Sequence, residues 1–100
     1  MAFELLVGLT LRDPALYAEY RRRMTPLLVE HGGRFRYDFV VSQVLATESD
    51  PEINRVFAIS FPDRAAKETF FARPDYLAIK GELFDRAVKT RTILAEYERA

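Results

Sequence analysis

The first third of the chain changes from an alternating apolar pattern to a helical one. Apolar residues occupy every second position from Phe3 to Leu11, which predicts a β-strand with one buried face. Asp13 followed by Pro14 is typical of a helix N-terminus, because the aspartate accepts a hydrogen bond from a free backbone amide and proline lacks one. Apolar positions then recur at steps of three and four as far as His31, so we expect a helix that ends at Gly32.

The rest of the chain contains three more predicted strands and two more helical stretches. Proline, glycine and clusters of small polar residues mark the boundaries between them. The polar segment 47–54 is typical of a hairpin loop, and Asp63 is the expected cap of the helix that follows. In chain order we predict a strand over 34–46, a strand over 55–61, a helix in 62–72, a helical stretch from Pro74 to residue 89 and a strand over 90–98.

This order of elements predicts an α+β fold of the ferredoxin-like type. The order is β-α-β-β-α-β, with an extra helix before the last strand. Two right-handed crossovers place the helices on one face of a four-stranded antiparallel sheet. With 100 residues and no linker-like segment, we expect one domain over residues 1–100.

The second face of this sheet also carries apolar residues. A large exposed apolar face promotes association, and a second copy of the chain is its simplest cover. We therefore expect a homodimeric α/β barrel; the alternative is a monomer with scattered apolar surface residues, which are common. The residues on which this expectation rests are Leu6, Val40, Val44, Val56, Ala58 and Leu94.

Charged residues are predicted on the same second face. Arg34, Arg36 and Asp38 alternate with the apolar positions of the second predicted strand, and Glu4 lies in the first. Because a buried charge is costly unless it is paired, we expect Arg36 to pair with Asp38 or with Glu4. These residues would either surround the dimer interface or line a ligand pocket inside the barrel.

Composition and charge limit the classes of function. The 15 basic and 15 acidic residues balance, which argues against nucleic acid or an anionic membrane as a partner. The chain has no cysteine and one histidine, so we expect no disulfide, no metal site and no cofactor bound through such ligands. The apolar start is short, contains Glu4 and lacks a basic segment, so we expect a cytoplasmic protein rather than a secreted one.

Several short motifs, in order, resemble one family. They are "DP" followed by two tyrosines three residues apart, "PLLVEHGGRF", a strand that ends in "FP", and "RPDYLAIK". In this order and spacing they resemble the uncharacterised family DUF1330, which is related to the antibiotic-biosynthesis monooxygenase-like and YCII-like proteins. Phe70 and Phe71 stand where that family usually has a tryptophan–tyrosine pair. The resemblance implies a dimeric α/β barrel and no established reaction.

His31 has two interpretations. Glycine at position 32 can adopt the left-handed conformation that ends a helix, so His31 would simply belong to its last turn. Alternatively it reaches a ligand pocket as an acid, a base or a ligand contact. The candidate site residues are therefore His31, Arg34, Arg36, Asp38 and Tyr76.

The sequence leaves three functions open. The first is binding of a small organic molecule in a pocket of the barrel, without a commitment to turnover. The second is a cofactor-independent, monooxygenase-like activity, in which the pocket supplies orientation and a base. The third is RNA binding, since RNA-recognition modules share this topology; the first strand, however, offers Leu6 where those modules place an aromatic residue.

Overall fold

The computed structural model describes residues 1–100, and its elements follow the predicted order. All strand pairs are antiparallel, and the sheet order is β2-β3-β1-β4, which confirms the four-stranded ferredoxin-like arrangement with an additional helix. The elements are β1 (Ala2–Leu11), α1 (Pro14–Glu30), β2 (Arg34–Val40), β3 (Arg55–Phe61), α2 (Arg64–Ala72), α3 (Pro74–Ile79), a π-helical turn (Lys80–Phe84), α4 (Asp85–Ala87) and β4 (Val88–Arg99).

The main core lies between the sheet and the helices. Strand β1 is central in the sheet, and its residues Phe3, Leu5, Val7 and Leu9 are all at most 4% exposed. They meet α1 residues such as Tyr17 and the helices that follow β3 in a cluster of 17 buried residues. Burial of each large apolar side chain contributes about 1.5–3 kcal/mol, so this single layer accounts for most of the hydrophobic stabilisation.

Local signals in the sequence fix the helix ends. The Asp13 carboxylate accepts from the amide of Leu16 at 3.0 Å, and the Asp63 carboxylate accepts from the amide of Ala66 at 2.7 Å. At the end of α1, Gly32 has a φ of 71°. The amide of Gly32 donates to the carbonyl of Val29, and the amide of Gly33 donates to the carbonyl of Leu28. These paired bonds form a Schellman motif, and His31 is the cap residue of α1, as the structural interpretation predicted.

Strand β2 differs from its prediction in length and in the direction of its side chains. It ends at Val40 rather than at residue 46, and a bulge interrupts the register between Phe35 and Tyr37. A bulge adds a residue to one strand and reverses the alternation beyond it. Phe35 and Asp38 therefore lie on the helix side, while Tyr37 and Phe39 lie on the open side. The predicted grouping of Asp38 with Arg34 and Arg36 on one face is wrong for this reason.

None of the helices in this structure has both the length and the apolar character that crossing a membrane requires.

Candidate functional site

A cavity of about 540 Å³ lies on the helix side of the sheet. Its volume falls in the range of small-molecule sites, which is about 300–1,000 Å³. Of its 19 lining residues, 14 are hydrophobic. The aromatic members, which form much of the wall, are Tyr17, Tyr20, Phe35, Phe57, Phe71, Tyr76 and Phe84.

Each wall of the cavity follows from a pattern in the sequence. The floor comes from strands β1 and β3, whose inward positions include Leu5 and Ile59, a directly opposed pair. Tyr17, Tyr20 and Met24 project from α1 at steps of three and four and form a second wall. The third wall comes from α2, α3 and the π-helical turn. Side chains from the sheet, from α1 and from the helices that follow β3 thus surround one apolar space.

Two tyrosine hydroxyls meet in this wall. The hydroxyls of Tyr20 and Tyr76 lie 2.8 Å apart, and both rings are at most 4% exposed. Burial raises the pKa of Tyr20 far above its usual value, and it raises that of Tyr76 although the charge of Arg91 opposes the rise. Both groups are therefore neutral at physiological pH. Their single shared hydrogen bond uses one hydroxyl proton, so the other is available to a ligand.

Charged side chains surround the opening of the cavity. Lys67 lies 3.8 Å from Glu96, and Lys80 lies 2.8 Å from Asp85, so both lysines are neutralised locally. Arg91 on β4 also lines the cavity, opposite Leu9 in the register, and forms no salt bridge or side-chain hydrogen bond. Glu68 on α2 is the corresponding acidic group without a partner.

His31 lies outside the lining of the cavity. Its ring packs edge-on against Phe70 with the centroids 5.9 Å apart, and its Nε2 lies 3.3 Å from a guanidinium nitrogen of Arg73. The same guanidinium binds the carboxylates of Glu30 at 2.5 Å and Asp75 at 2.6 Å. These contacts attach the end of α1 to the start of α3.

Arg36 and Glu4 lie on the open face of the sheet, and they form the ion pair that was one of the two predicted alternatives. Nη1 of Arg36 lies 3.0 and 3.1 Å from the two oxygens of Glu4, which also accepts from the hydroxyl of Tyr97. Burial alone would raise the pKa of Glu4, but the bonds from Tyr97 and Arg36 and the charges of Arg36 and Arg99 outweigh it, so that this pKa lies below its usual value. Arg34, on the same face, is exposed and unpaired.

Asp38 belongs to a different network, on the helix side. Its carboxylate binds Arg55 at 2.8 Å and Arg21 at 3.0 Å. Burial would raise its pKa, but the bond from Arg55 and the charges of both arginines lower it. The guanidinium of Arg21 also lies 3.4 Å from the centroid of the Phe35 ring, which itself lines the cavity. This network therefore supports one wall without entering the cavity.

Of the five predicted site residues, the structure brings only Tyr76 to the cavity. The prediction sought the pocket on the open face, whereas the cavity lies between the sheet and the helices. Arg91 and Glu68 also line the cavity but were not identified from the sequence. The alternation of β4 could have indicated Arg91, because this arginine shares a side with Ile93.

Aromatic residues on the open face are confined to the two edge strands. Tyr37 and Phe39 lie on β2 with stacked rings 6.0 Å apart, and Tyr97 lies on β4. The central strands present Leu6 and Ala58 at the positions between them. RNA-recognition modules stack bases on aromatic residues of their central strands, so this face does not offer that platform.

The element order and the antiparallel sheet define a ferredoxin-like α+β protein, and comparison with known proteins agrees. The chain belongs to the family described as Domain of unknown function (DUF1330), whose model matches residues 5–97. Among curated proteins, none matches the chain. No group of three or more histidine, aspartate or glutamate side chains is placed to hold a metal ion.

Several solved structures share the fold at low sequence identity. A protein of unknown function from Rhodopseudomonas palustris is 20% identical, with 99% of this chain and 82% of that chain covered and a TM-score of 0.83. A cofactor-independent oxygenase, SnoaB from Streptomyces nogalater, is 15% identical over 99% of this chain and 93% of its own, with a TM-score of 0.65. A dimeric protein of unknown function with a ferredoxin-like fold, from Bacteroides fragilis, is 14% identical, with 98% of this chain and 96% of that chain covered and a TM-score of 0.61.

Proposed function

We propose that this protein binds a small organic molecule with a mainly apolar body in the cavity between the sheet and the helices. The observation that carries the proposal is the cavity itself: about 540 Å³ of space with a predominantly hydrophobic and aromatic lining. An apolar ligand is favoured there because its surface leaves water, at about 25 cal/mol for each Å² buried. The few polar groups would fix its orientation.

A neutral fluorescent dye tests this proposal. N-phenyl-1-naphthylamine fluoresces strongly only in an apolar environment, and the chain has no tryptophan to interfere. Ala72 lies at the exposed rim of the cavity, so Ala72→Phe should narrow the opening and weaken dye binding about tenfold or more. Ala65 is exposed on the same helix and does not line the cavity, so Ala65→Phe is the matched control.

The wild-type protein and the Ala65→Phe variant should bind the dye with equal affinity. If the wild-type protein does not bind it, or if the two phenylalanine variants behave alike, the proposal is wrong. Chemical denaturation of both variants establishes that each is folded in the assay.

We further propose that the protein is a homodimer, joined through the open face of the sheet. Tyr37 and Phe39 are 52% and 55% exposed on that face, although they are large apolar rings. A second copy related by a two-fold axis would cover them. The dimeric relative from Bacteroides fragilis is consistent with this arrangement.

Sedimentation velocity tests the dimer with a pair of variants. The chain has a mass of 11.6 kDa, so a particle of twice that mass is expected at micromolar concentration. Phe39→Lys should shift the protein to the monomer, because a charge would be buried in the interface. Val29→Lys, at an equally exposed position on α1, should not. A wild-type protein with the mass of one chain would contradict the dimer.

The second candidate function is cofactor-independent oxygenation, which the fold shared with SnoaB favours. This chemistry requires a base that deprotonates the substrate in a dry site. The cavity tyrosines are neutral and hold their protons tightly, so the remaining basic groups are the carboxylates of Glu68 and Glu96 at the opening. An oxygen electrode with a panel of quinols and flavonols separates the two functions. Uptake that Glu68→Gln or Glu96→Gln abolishes would establish oxygenation; tight binding without uptake would favour simple binding.

A further inference from the structure

Arg91 is the one basic residue of the cavity lining whose charge is not balanced by a salt bridge. It projects from β4 on the helix side of the sheet, in register with Leu9. Its side chain is exposed, and the two lysines that also line the cavity already have acidic partners. An arginine with its donors free beside an apolar space is suited to pairing with an acidic group, because its planar fork matches a carboxylate.

The tyrosine pair provides a second donor in the same cavity. Tyr20 and Tyr76 share one hydrogen bond, which leaves one hydroxyl proton without an acceptor in the protein. Both Tyr76 and Arg91 line the cavity, and the arginine is close enough for its charge to act on the phenol. A neutral hydroxyl and a guanidinium therefore face the same space. Together they would bind the oxygen atoms of an anion.

From this juxtaposition we propose that the ligand is an aromatic or similarly rigid apolar molecule with a carboxylate, which Arg91 binds with the help of the Tyr20–Tyr76 hydroxyl pair. This inference rests on the proposed function, since it assigns a chemical class to the ligand of that cavity. The aromatic lining accommodates flat rings, which pack edge-on or offset against aromatic side chains. The acidic end lies near Arg91, and the body extends between the helices and the sheet.

Glu68 provides a test of the sign of the electrostatic interaction. It lines the same cavity, is exposed and has no basic partner, so it repels a bound carboxylate weakly through solvent. Glu68→Gln should therefore strengthen binding of an acidic ligand, and Arg91→Gln should weaken it. A ligand bound only by its apolar body would respond to neither substitution.

Competition between two matched probes measures this preference. The protein is loaded with N-phenyl-1-naphthylamine, and the dye is displaced with 2-naphthoate or with the uncharged 2-naphthamide at pH 7.5. The wild-type protein should prefer the carboxylate at least about tenfold, a factor that corresponds to ~1.4 kcal/mol. Arg91→Gln should remove most of this preference, which is measured as the ratio of the affinities for 2-naphthoate and 2-naphthamide.

The matched control is Arg86→Gln. Arg86 is also exposed and unpaired, but it does not line the cavity, so its removal should leave the preference unchanged. The Tyr20→Phe/Tyr76→Phe double variant should reduce the affinity for 2-naphthoate by a smaller factor than Arg91→Gln, because it removes the neutral hydroxyl donor altogether. Raising the salt concentration should weaken the binding of 2-naphthoate more than the binding of 2-naphthamide.

The outcomes distinguish failure of this inference from failure of the proposed function. If the dye binds but both naphthalene probes displace it equally, or if Arg91→Gln keeps the preference for the carboxylate, the inference is wrong and the cavity remains a binding site. If neither the dye nor either probe binds the wild-type protein, both proposals fail together.

Discussion

The tyrosine pair makes a prediction that concerns stability and does not depend on a ligand. Tyr20→Phe and Tyr76→Phe each remove one hydroxyl and retain the ring, so neither creates an apolar void. Each leaves the other hydroxyl in a nearly closed environment, since both residues are at most 4% exposed. A buried polar group that loses its partner costs about 1–3 kcal/mol. Because the cavity can admit water to the remaining hydroxyl, we expect each variant to lose about 1 kcal/mol of unfolding free energy, at the low end of this range.

The double variant separates this loss of a partner from other effects. Removal of both hydroxyls leaves no unpaired group, and replacing both partners by apolar groups of the same shape can be nearly neutral. The single losses sum to about 2 kcal/mol, so the double variant should be more stable than this sum predicts by up to about 2 kcal/mol. Urea denaturation at pH 7 measures each free energy of unfolding, and a loss of 1 kcal/mol lowers Tm by about 4–8 °C in a domain of this size.

A control variant measures the effect of removing a tyrosine hydroxyl that has no hydrogen-bond partner. Tyr37 is 52% exposed and its hydroxyl has no hydrogen-bond partner, so Tyr37→Phe should change stability by less than about 0.5 kcal/mol. If the effects of Tyr20→Phe and Tyr76→Phe add to within about 0.5 kcal/mol in the double variant, the two hydroxyls do not interact energetically. That result would refute the account of the pair given above.

Three further predictions concern two helix ends and the ion pair on the open face of the sheet. Gly32→Ala should lower Tm markedly, because its φ of 71° is unfavourable for alanine and the new Cβ would lie 2.7 Å from Pro62. Gly81→Ala is the control in thermal denaturation and should not lower Tm, because a Cβ at that position would meet only open space. Asp63→Ala should cost about 1 kcal/mol in urea denaturation through loss of the α2 cap, and an unchanged midpoint would contradict this. Because the folded pKa of Glu4 lies below its usual 4.5, its stabilisation is complete above that pH and is lost as the pH falls through the folded pKa. The difference in unfolding free energy between the wild type and Glu4→Gln should therefore be larger at pH 7 than at pH 3, and equal differences would exclude this linkage.

The fold followed from short-range signals that are independent of tertiary structure. The caps at Asp13 and Asp63 and the glycine at position 32 set the helix boundaries, and strand β3 spans residues 55–61 as predicted. Each of these signals depends on chemistry within a few residues. The antiparallel order then follows from the chirality of the crossovers.

The side-chain directions of strand β2 and the position of the site could not be predicted from such short-range signals. The bulge at residue 36 arises from pairing with β3, and alternation within the strand gives no sign of it. Asp38 consequently faces Arg21 and Arg55 on the helix side rather than the open face. The cavity is equally non-local, because it depends on how far α2 and α3 stand from the sheet. A pattern of buried positions shows which residues face inward but not whether the space between them is filled.

The most direct test of the cavity as a binding site uses the methionines. Met24 is 1% exposed and lines the cavity, while the only other methionine, Met1, is 78% exposed. In protein labelled with carbon-13 at the methionine methyl groups, saturation with N-phenyl-1-naphthylamine should shift the Met24 signal through the ring current of the dye. The Met1 signal, where that residue is retained, should not move. An unchanged Met24 signal at dye concentrations that saturate the fluorescence would mean that the dye binds elsewhere, and it would contradict binding in the cavity between the sheet and the helices.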